Sequence, residues 1–199
     1  MGEKHSDPIG SKLGMWLFLL SELVLFGGLF LLYSVYRFRY AADFHQASED
    51  LSRTIGTLNT AILLTSSLTM ALGIAALQKG RQALSFWLTL VTVALGLVFL
   101  GNKYVEWTVK FHHGIYPNAP WLLSQNKGVI LFFGLYFTMT GLHGLHVLAG
   151  LGVLVAMLVL IGRGRLNSAR FVPLENAGLY WHLVDIIWIF LFPLFYLIH

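Results

Sequence analysis

Two histidines three residues apart, in Gly141-Leu-His143-Gly-Leu-His146-Val-Leu-Ala-Gly150, lie inside one of the longest apolar runs of the chain. At that spacing both imidazoles share one face of a helix. Neutral imidazole is the commonest metal ligand, and an imidazole surrounded by hydrocarbon needs a partner on a neighbouring helix, a cofactor or a wet cavity. Two readings follow: haem or metal ligation, and a hydrogen-bonded contact between helices. A ligand cage needs further ligands converging at one depth. His182, the other histidine within an apolar run, sits nearer the opposite ends of the helices, so the helix contact is the favoured reading.

Three acids share these apolar surroundings. Glu22, in Phe18-Leu-Leu-Ser-Glu22-Leu-Val-Leu-Phe26, lies about eight residues inside the first apolar segment, where a charged, unpaired carboxylate costs on the order of several kcal/mol. It must be protonated, hydrogen-bonded or paired. In Tyr180-Trp181-His182-Leu-Val-Asp185-Ile-Ile-Trp188, His182 and Asp185 share a face flanked by Trp181 and Trp188. Helical rise puts Glu22 and Asp185 both ~12 Å, and His182 ~8 Å, from one end of the bundle. A cluster of Glu22, His182 and Asp185 is therefore geometrically allowed, either as a polar clasp between the first and last helices or as a proton-sharing group. Glu106 falls near the other end, within about one turn in height of His143, and Lys103, three residues before it, is placed to neutralise it. Glu106, His143 and His146 read as polar groups at helix interfaces, with His143 reaching toward Glu106 and His146 facing the bundle interior.

The elements that must hold these residues follow from composition. Of 199 residues 57% are hydrophobic and 11% charged, and the mean hydropathy is +0.72. That balance belongs to an integral membrane protein. With no cysteine in the chain, disulfides, thiolate metal sites and sulfur nucleophiles are excluded. The formal charge of +4 is spread over termini and loops, which gives no footprint for nucleic acid. Residues 1–12 are polar and read as a short tail rather than a signal peptide.

Five apolar segments, about 14–36, 57–77, 84–105, 129–161 and 177–198, are each long enough, at ~20 residues or more, to cross a bilayer as a helix. The fourth would reach on the order of 50 Å as one helix, so it starts at the interface, extends beyond the lipid, or tilts. The expected fold is all-α: one membrane domain over 1–199, an up-down bundle of five transmembrane helices joined by polar loops. With the N-terminus inside, seven Lys/Arg residues fall inside and six outside, a slight preference for that orientation. Ala61, Thr65, Thr69 and Gly73 form a small-residue stripe for helix packing. Pro193 removes a backbone bond and is expected to bend the last helix near Ile189. Arg163 and Arg165, after the fourth helix, are placed for phospholipid headgroups, and Trp181 joins them as a lipid-contact candidate.

Taken in order, these motifs resemble subunit III of the haem-copper oxidases. Residues 14–30 look like that family's helix with a membrane-embedded acid, and Leu58-Asn-Thr60 like the opening of its next helix. Glu106 stands where the family keeps a glutamate near a helix end. Gly141-Leu-His-Gly-Leu-His-Val147 and Trp181-His-Leu-Val-Asp-Ile-Ile-Trp188 look like its two signatures. Longer members carry two further helices before the one resembling residues 14–36, forming a lipid cleft, and some carry glutamine where Lys103 stands.

The resemblance implies an accessory subunit with no redox centre or metal of its own. Haem and copper would belong to the catalytic subunit I it packs against and to subunit II, in a bacterial-type cytoplasmic membrane with the N-terminus inside and the C-terminus outside. It also implies bound phospholipid and support of proton uptake during aerobic electron transport. A quinol oxidase subunit III and the accessory subunit of a nitric oxide reductase are the related alternatives. A b-type haem protein using His143 or His146 with His182, and a small proton-coupled transporter using Glu22 and Asp185, are the alternatives from other classes.

Overall fold

The computed structural model describes residues 8–198, so the polar tail of the sequence reading lies mostly outside the described residues. Five long helices carry the fold: α1 (Pro8–Arg39), α3 (Arg53–Gln78), α4 (Gln82–His112), α6 (Lys127–Gly162) and α7 (Val172–Tyr196). All five are long and apolar enough to cross a membrane, and no strand occurs among the described residues. α1, α3, α4 and α6 extend past their apolar runs at both ends, whereas α7 starts five residues before its run and ends two residues short of it.

Two short helices, α2 (Ala41–Ser48) and α5 (Pro120–Leu123), lie in stretches read from sequence as loops. Both sit at the end of the bundle opposite the start of α1. α2 is only weakly apolar, but Phe44 and Ala47 on it, and Leu51 just beyond it, are buried. Phe44 packs edge-on against Phe132 of α6 and Tyr33 of α1. Asp43 accepts a 3.2 Å hydrogen bond from the Gly128 N–H, satisfying one of the orphan donors at the start of α6. The length of α6 is thereby accounted for. It is one continuous helix of 36 residues, about 54 Å long, and its first turns pack beneath α2.

Local chemistry sets the other boundaries. Ser52 caps α3 through the Ile55 N–H. α3, α4 and α6 all end in one device: a glycine at positive φ, Gly80, Gly114 and Gly164, followed by an N–H that reaches back across the last turn. These bonds are Arg81 to Ala76, Ile115 to Lys110 and Arg165 to Leu160. The pattern satisfies terminal carbonyls and stops the helix. α7 stays helical through Pro193.

The tight turn at Gly80 makes α3 and α4 antiparallel neighbours, and α7 packs against both α3 and α6. Of the small-residue stripe on α3, Gly73 is buried against Leu88 and Thr89 of α4 and Thr69 bonds Thr92 at 2.8 Å, while Ala61 and Thr65 are exposed. The buried face of α3 runs instead through Asn59, Leu63, Ser66, Met70, Gly73 and Leu77. α1 is the outlying helix: it packs chiefly on α2, α6 and α7, and Leu13, Leu17, Leu20, Val24, Leu31 and Val35 stay exposed along it.

Candidate functional site

Polar side chains inside the bundle gather in three groups. At the α2/α5 end, Lys103 and Glu106, one turn apart on α4, meet Tyr136 of α6 and Tyr196 of α7, all buried. The Lys103 Nζ donates to Glu106 Oε2 at 3.0 Å, to the Tyr136 hydroxyl at 3.0 Å and to the Tyr196 hydroxyl at 2.9 Å. Both hydroxyls in turn donate to Glu106 Oε1, at 2.8 and 2.7 Å. An ammonium has three protons, so Lys103 is saturated, and the carboxylate accepts three charge-assisted bonds. The network is closed. Its chemistry is that of a lock on three helices, with every donor of the four side chains already used within it.

At mid-depth, α1 is tied to α6. The Glu22 Oε2 lies 2.8 Å from His146 Nε2, with the two side chains about 15% exposed. The other ring nitrogen, Nδ1, is 2.7 Å from the Leu142 carbonyl. A carbonyl only accepts, which assigns a proton to Nδ1. One further proton therefore sits between Nε2 and the carboxyl, on either side of the contact. This is the arrangement that can hold a mobile proton, and it faces the outlying helix. Phe26 covers it edge-on at 5.3 Å.

The third group is built on α7 facing α3. His182 Nδ1 is 2.6 Å from Ser67 Oγ. Asp185, 3% exposed, has the Ser67 hydroxyl beside it but no hydrogen bond of normal geometry to either oxygen. One turn along, Trp188 Nε1 donates to Thr60 Oγ1 at 3.0 Å, and Trp181 Nε1 to Ser66 Oγ at 3.0 Å. The Trp181 ring fills a slot between α4 and α6 that two glycines leave open. A Cβ on Gly96 would fall 2.7 Å from Trp181 Cη2, and one on Gly150 3.1 Å from Cε3.

Several expectations need correction. Glu22 does not join His182 and Asp185. Their depths agree, but α1 packs on α7 through Tyr180, Phe190 and Leu194, whereas His182 and Asp185 point to α3 on another face. His143 does not reach Glu106, whose oxygens are taken by Lys103 and the two tyrosines. Its ring is fully buried between Phe99 and Trp188, centroids 5.6 and 5.3 Å away, and neither nitrogen has a hydrogen-bond partner among the described residues. His146 does not face the bundle interior but turns to α1. Trp181, a lipid-contact candidate by sequence, is fully buried, because the slot over Gly96 and Gly150 is core.

Arg163 and Arg165 are exposed, beside a cavity of about 420 Å³ lined by Gln82, Phe86, Trp87, Ile161 and Gly164. Among the described residues, no group of three His, Asp or Glu is placed to hold a metal ion. A haem between His146 and His182 would have to break the bonds each already makes to Glu22 and Ser67. The feature that sequence reasoning missed is the pair of hydroxyls: Tyr136 and Tyr196 carry no signal until the helices are placed around Lys103.

The sequence profile of the cytochrome c oxidase subunit III family matches residues 3–199. A protein of Thermostichus vulcanus named cytochrome c oxidase subunit 3 is 32% identical over 98% of this chain and 90% of its own length. One of Alkalihalophilus pseudofirmus with the same name is 32% identical over 93% of this chain and 85% of its own. A probable quinol oxidase subunit 3 of Staphylococcus haemolyticus is 30% identical over 94% and 89%.

Proposed function

The chain belongs to the cytochrome c oxidase subunit III family, and on that premise we propose that it braces the catalytic subunit I of a respiratory terminal oxidase and supports proton uptake there, carrying no redox centre itself. Haem and copper belong, in this reading, to partner subunits, with subunit II in the same complex. The electron donor, cytochrome c or a quinol, is then a property of the partners, and so is the choice between an oxygen-reducing enzyme and a nitric oxide reductase.

The observation that carries the proton role is the 2.8 Å contact of Glu22 with His146, which joins the outlying helix α1 to the bundle. Glu22→Gln and Glu22→Ala separate holding a proton from holding a helix. In the assembled oxidase, Glu22→Gln keeps a hydrogen bond to His146, so the subunit is retained while proton-linked turnover slows severalfold and the haem spectra stay unchanged. Glu22→Ala loses the tie as well, and weakens retention of the subunit. Full turnover in the Gln variant, with loss of the subunit only in the Ala variant, would reduce the pair to packing.

Phospholipid binding is proposed at the start of α4 and the end of α6. There the exposed Arg163 and Arg165 flank a cavity lined in part by Phe86 and Trp87, a basic and aromatic rim suited to a headgroup. The same end is proposed to face the cytoplasm. Two of the six cations assigned outside by sequence, Lys103 and Lys110, are buried, which leaves the exposed positive charge concentrated at the opposite end. A chain without cysteine makes the test clean. In right-side-out vesicles, a membrane-impermeant maleimide should label a cysteine placed at Asn118 and leave one at Arg165 unlabelled; the reverse pattern inverts the topology.

A further inference from the structure

Outside the Lys103 lock, at the α2/α5 end, a cavity of about 400 Å³ is lined by Asp50, Val109, Lys110, His113, Ile115 and Trp121. Lys110 is its buried charged member, 5% exposed. Its Nζ donates a 3.1 Å bond to the main-chain oxygen of Asp50, and the rings of Phe133 and Tyr136 lie 5.8 and 5.7 Å away. Lys103, two turns earlier on α4, spends all three of its protons inside the protein; Lys110 spends one. No carboxylate stands within ion-pair distance of it among the described residues. Glu106, one turn before it on α4, already accepts from Lys103 and both tyrosines.

A buried ammonium with unused donors is costly unless something meets it. The cavity offers where that partner would sit and what else it would touch. Asp50 is exposed at the rim, which adds a carboxylate to the buried cation. Val109, Ile115 and Trp121 supply the apolar wall, and His113, whose Nδ1 is held by the Val109 carbonyl, leaves its other nitrogen free.

Depth narrows the class of ligand. From the midpoint of α4, Lys110 is ~20 Å along the helix axis. That is past the ~15 Å half-thickness of the hydrocarbon and within the headgroup layer. Trp121, 44% exposed, and Tyr116, 37% exposed, are aromatic residues of the kind that settle at that level.

We propose that this cavity binds the phosphoethanolamine headgroup of a zwitterionic phospholipid from the leaflet at the α2/α5 end, with its phosphate on Lys110 and its ammonium on Asp50. The pairing uses one fixed charge of each sign. A phosphatidylglycerol headgroup brings the phosphate but no cation, and sets its net negative charge against Asp50. A choline headgroup brings a cation that cannot donate a hydrogen bond to the carboxylate. The site is at the other end of the molecule from Arg163 and Arg165, and it does not depend on the proton role of Glu22.

The test is native mass spectrometry of the full-length chain in detergent, delipidated and then titrated with equimolar phosphatidylethanolamine and phosphatidylglycerol of matched acyl chains. Wild type is expected to retain one phosphatidylethanolamine in preference to phosphatidylglycerol. Asp50→Asn is the informative variant, because it removes the exposed charge and keeps the main-chain oxygen that Lys110 uses. It is expected to lower that occupancy about fivefold, the size of one solvent-facing ion pair, without lowering phosphatidylglycerol. Lys110→Met is expected to abolish the bound lipid; should that variant not fold, Asp50→Asn decides alone. Unchanged lipid preference in Asp50→Asn, or equal loss of both lipids, would show that Asp50 serves only the fold and would overturn the site.

Discussion

Lys103→Met is expected to destabilise the bundle by about 3–5 kcal/mol, the cost of leaving a buried charge without its partner. Glu106 is 4% exposed and would keep only the two tyrosine hydroxyls. The loss extends over three helices, because Lys103 and Glu106 on α4 are joined through Tyr136 to α6 and through Tyr196 to α7. The double variant Lys103→Met/Glu106→Leu is expected to cost less than Lys103→Met alone. Exchanging a whole buried pair for apolar side chains is often close to neutral, and the two hydroxyls, 3.3 Å apart, can bond to each other. Reversible unfolding of the chain in mixed micelles, run as a double-mutant cycle, reads the difference directly. Additive losses would mean that the four residues act separately and that no lock exists.

Trp181→Ala is the second large effect, about 3–5 kcal/mol by the usual cost of emptying a buried aromatic site. The neighbours cannot collapse into the space easily, since its two walls are the backbones of Gly96 and Gly150 on different helices. The bond from Trp181 Nε1 to Ser66 Oγ is lost as well, although the Ser66 hydroxyl keeps its own bond to the Leu63 carbonyl. Trp181→Phe keeps much of the volume and should lose far less. The same unfolding measurement distinguishes the two variants; a loss below about 1 kcal/mol for Trp181→Ala would return Trp181 to the lipid-facing surface that sequence reasoning gave it.

Both effects turn on helix azimuth, which is where the sequence was least legible. Span number, order and depth were readable from apolar run length and from helical rise. The Lys103–Glu106 contact was readable too, as a three-residue spacing on one helix. Azimuth was not, because in a membrane bundle the face toward lipid is as apolar as the face toward the core. Leu17 and Leu20 on α1 are exposed while Leu19 is buried, with no difference in residue type to tell them apart. Glu22 was therefore given the right depth and the wrong partner, and Trp181 the wrong surface. Small residues mark a close approach where they meet a large ring, at Gly96 and Gly150, whereas Ala61 and Thr65 of the stripe on α3 are exposed. α2 escaped notice because its few buried side chains are too sparse to raise a hydropathy signal, although they fix the start of α6.

The polar groups divide by whether they are closed. The Lys103 network has every proton assigned and fits a role in holding helices together. The Glu22–His146 contact has one proton to place, at the one long helix that stands partly apart from the bundle. That contrast is why the proton role is proposed for Glu22 and not for Glu106.

Affinity purification of the tagged chain from its native membranes in mild detergent, with the co-purifying proteins identified by mass spectrometry and an optical spectrum recorded before and after the subunits are separated, bears most directly on the whole account. The predicted result is a stoichiometric haem-copper subunit I in the purified complex, with all haem absorbance leaving with that subunit. A Soret band that stays with this chain after separation, or a purified complex that contains no haem-copper subunit, would contradict it.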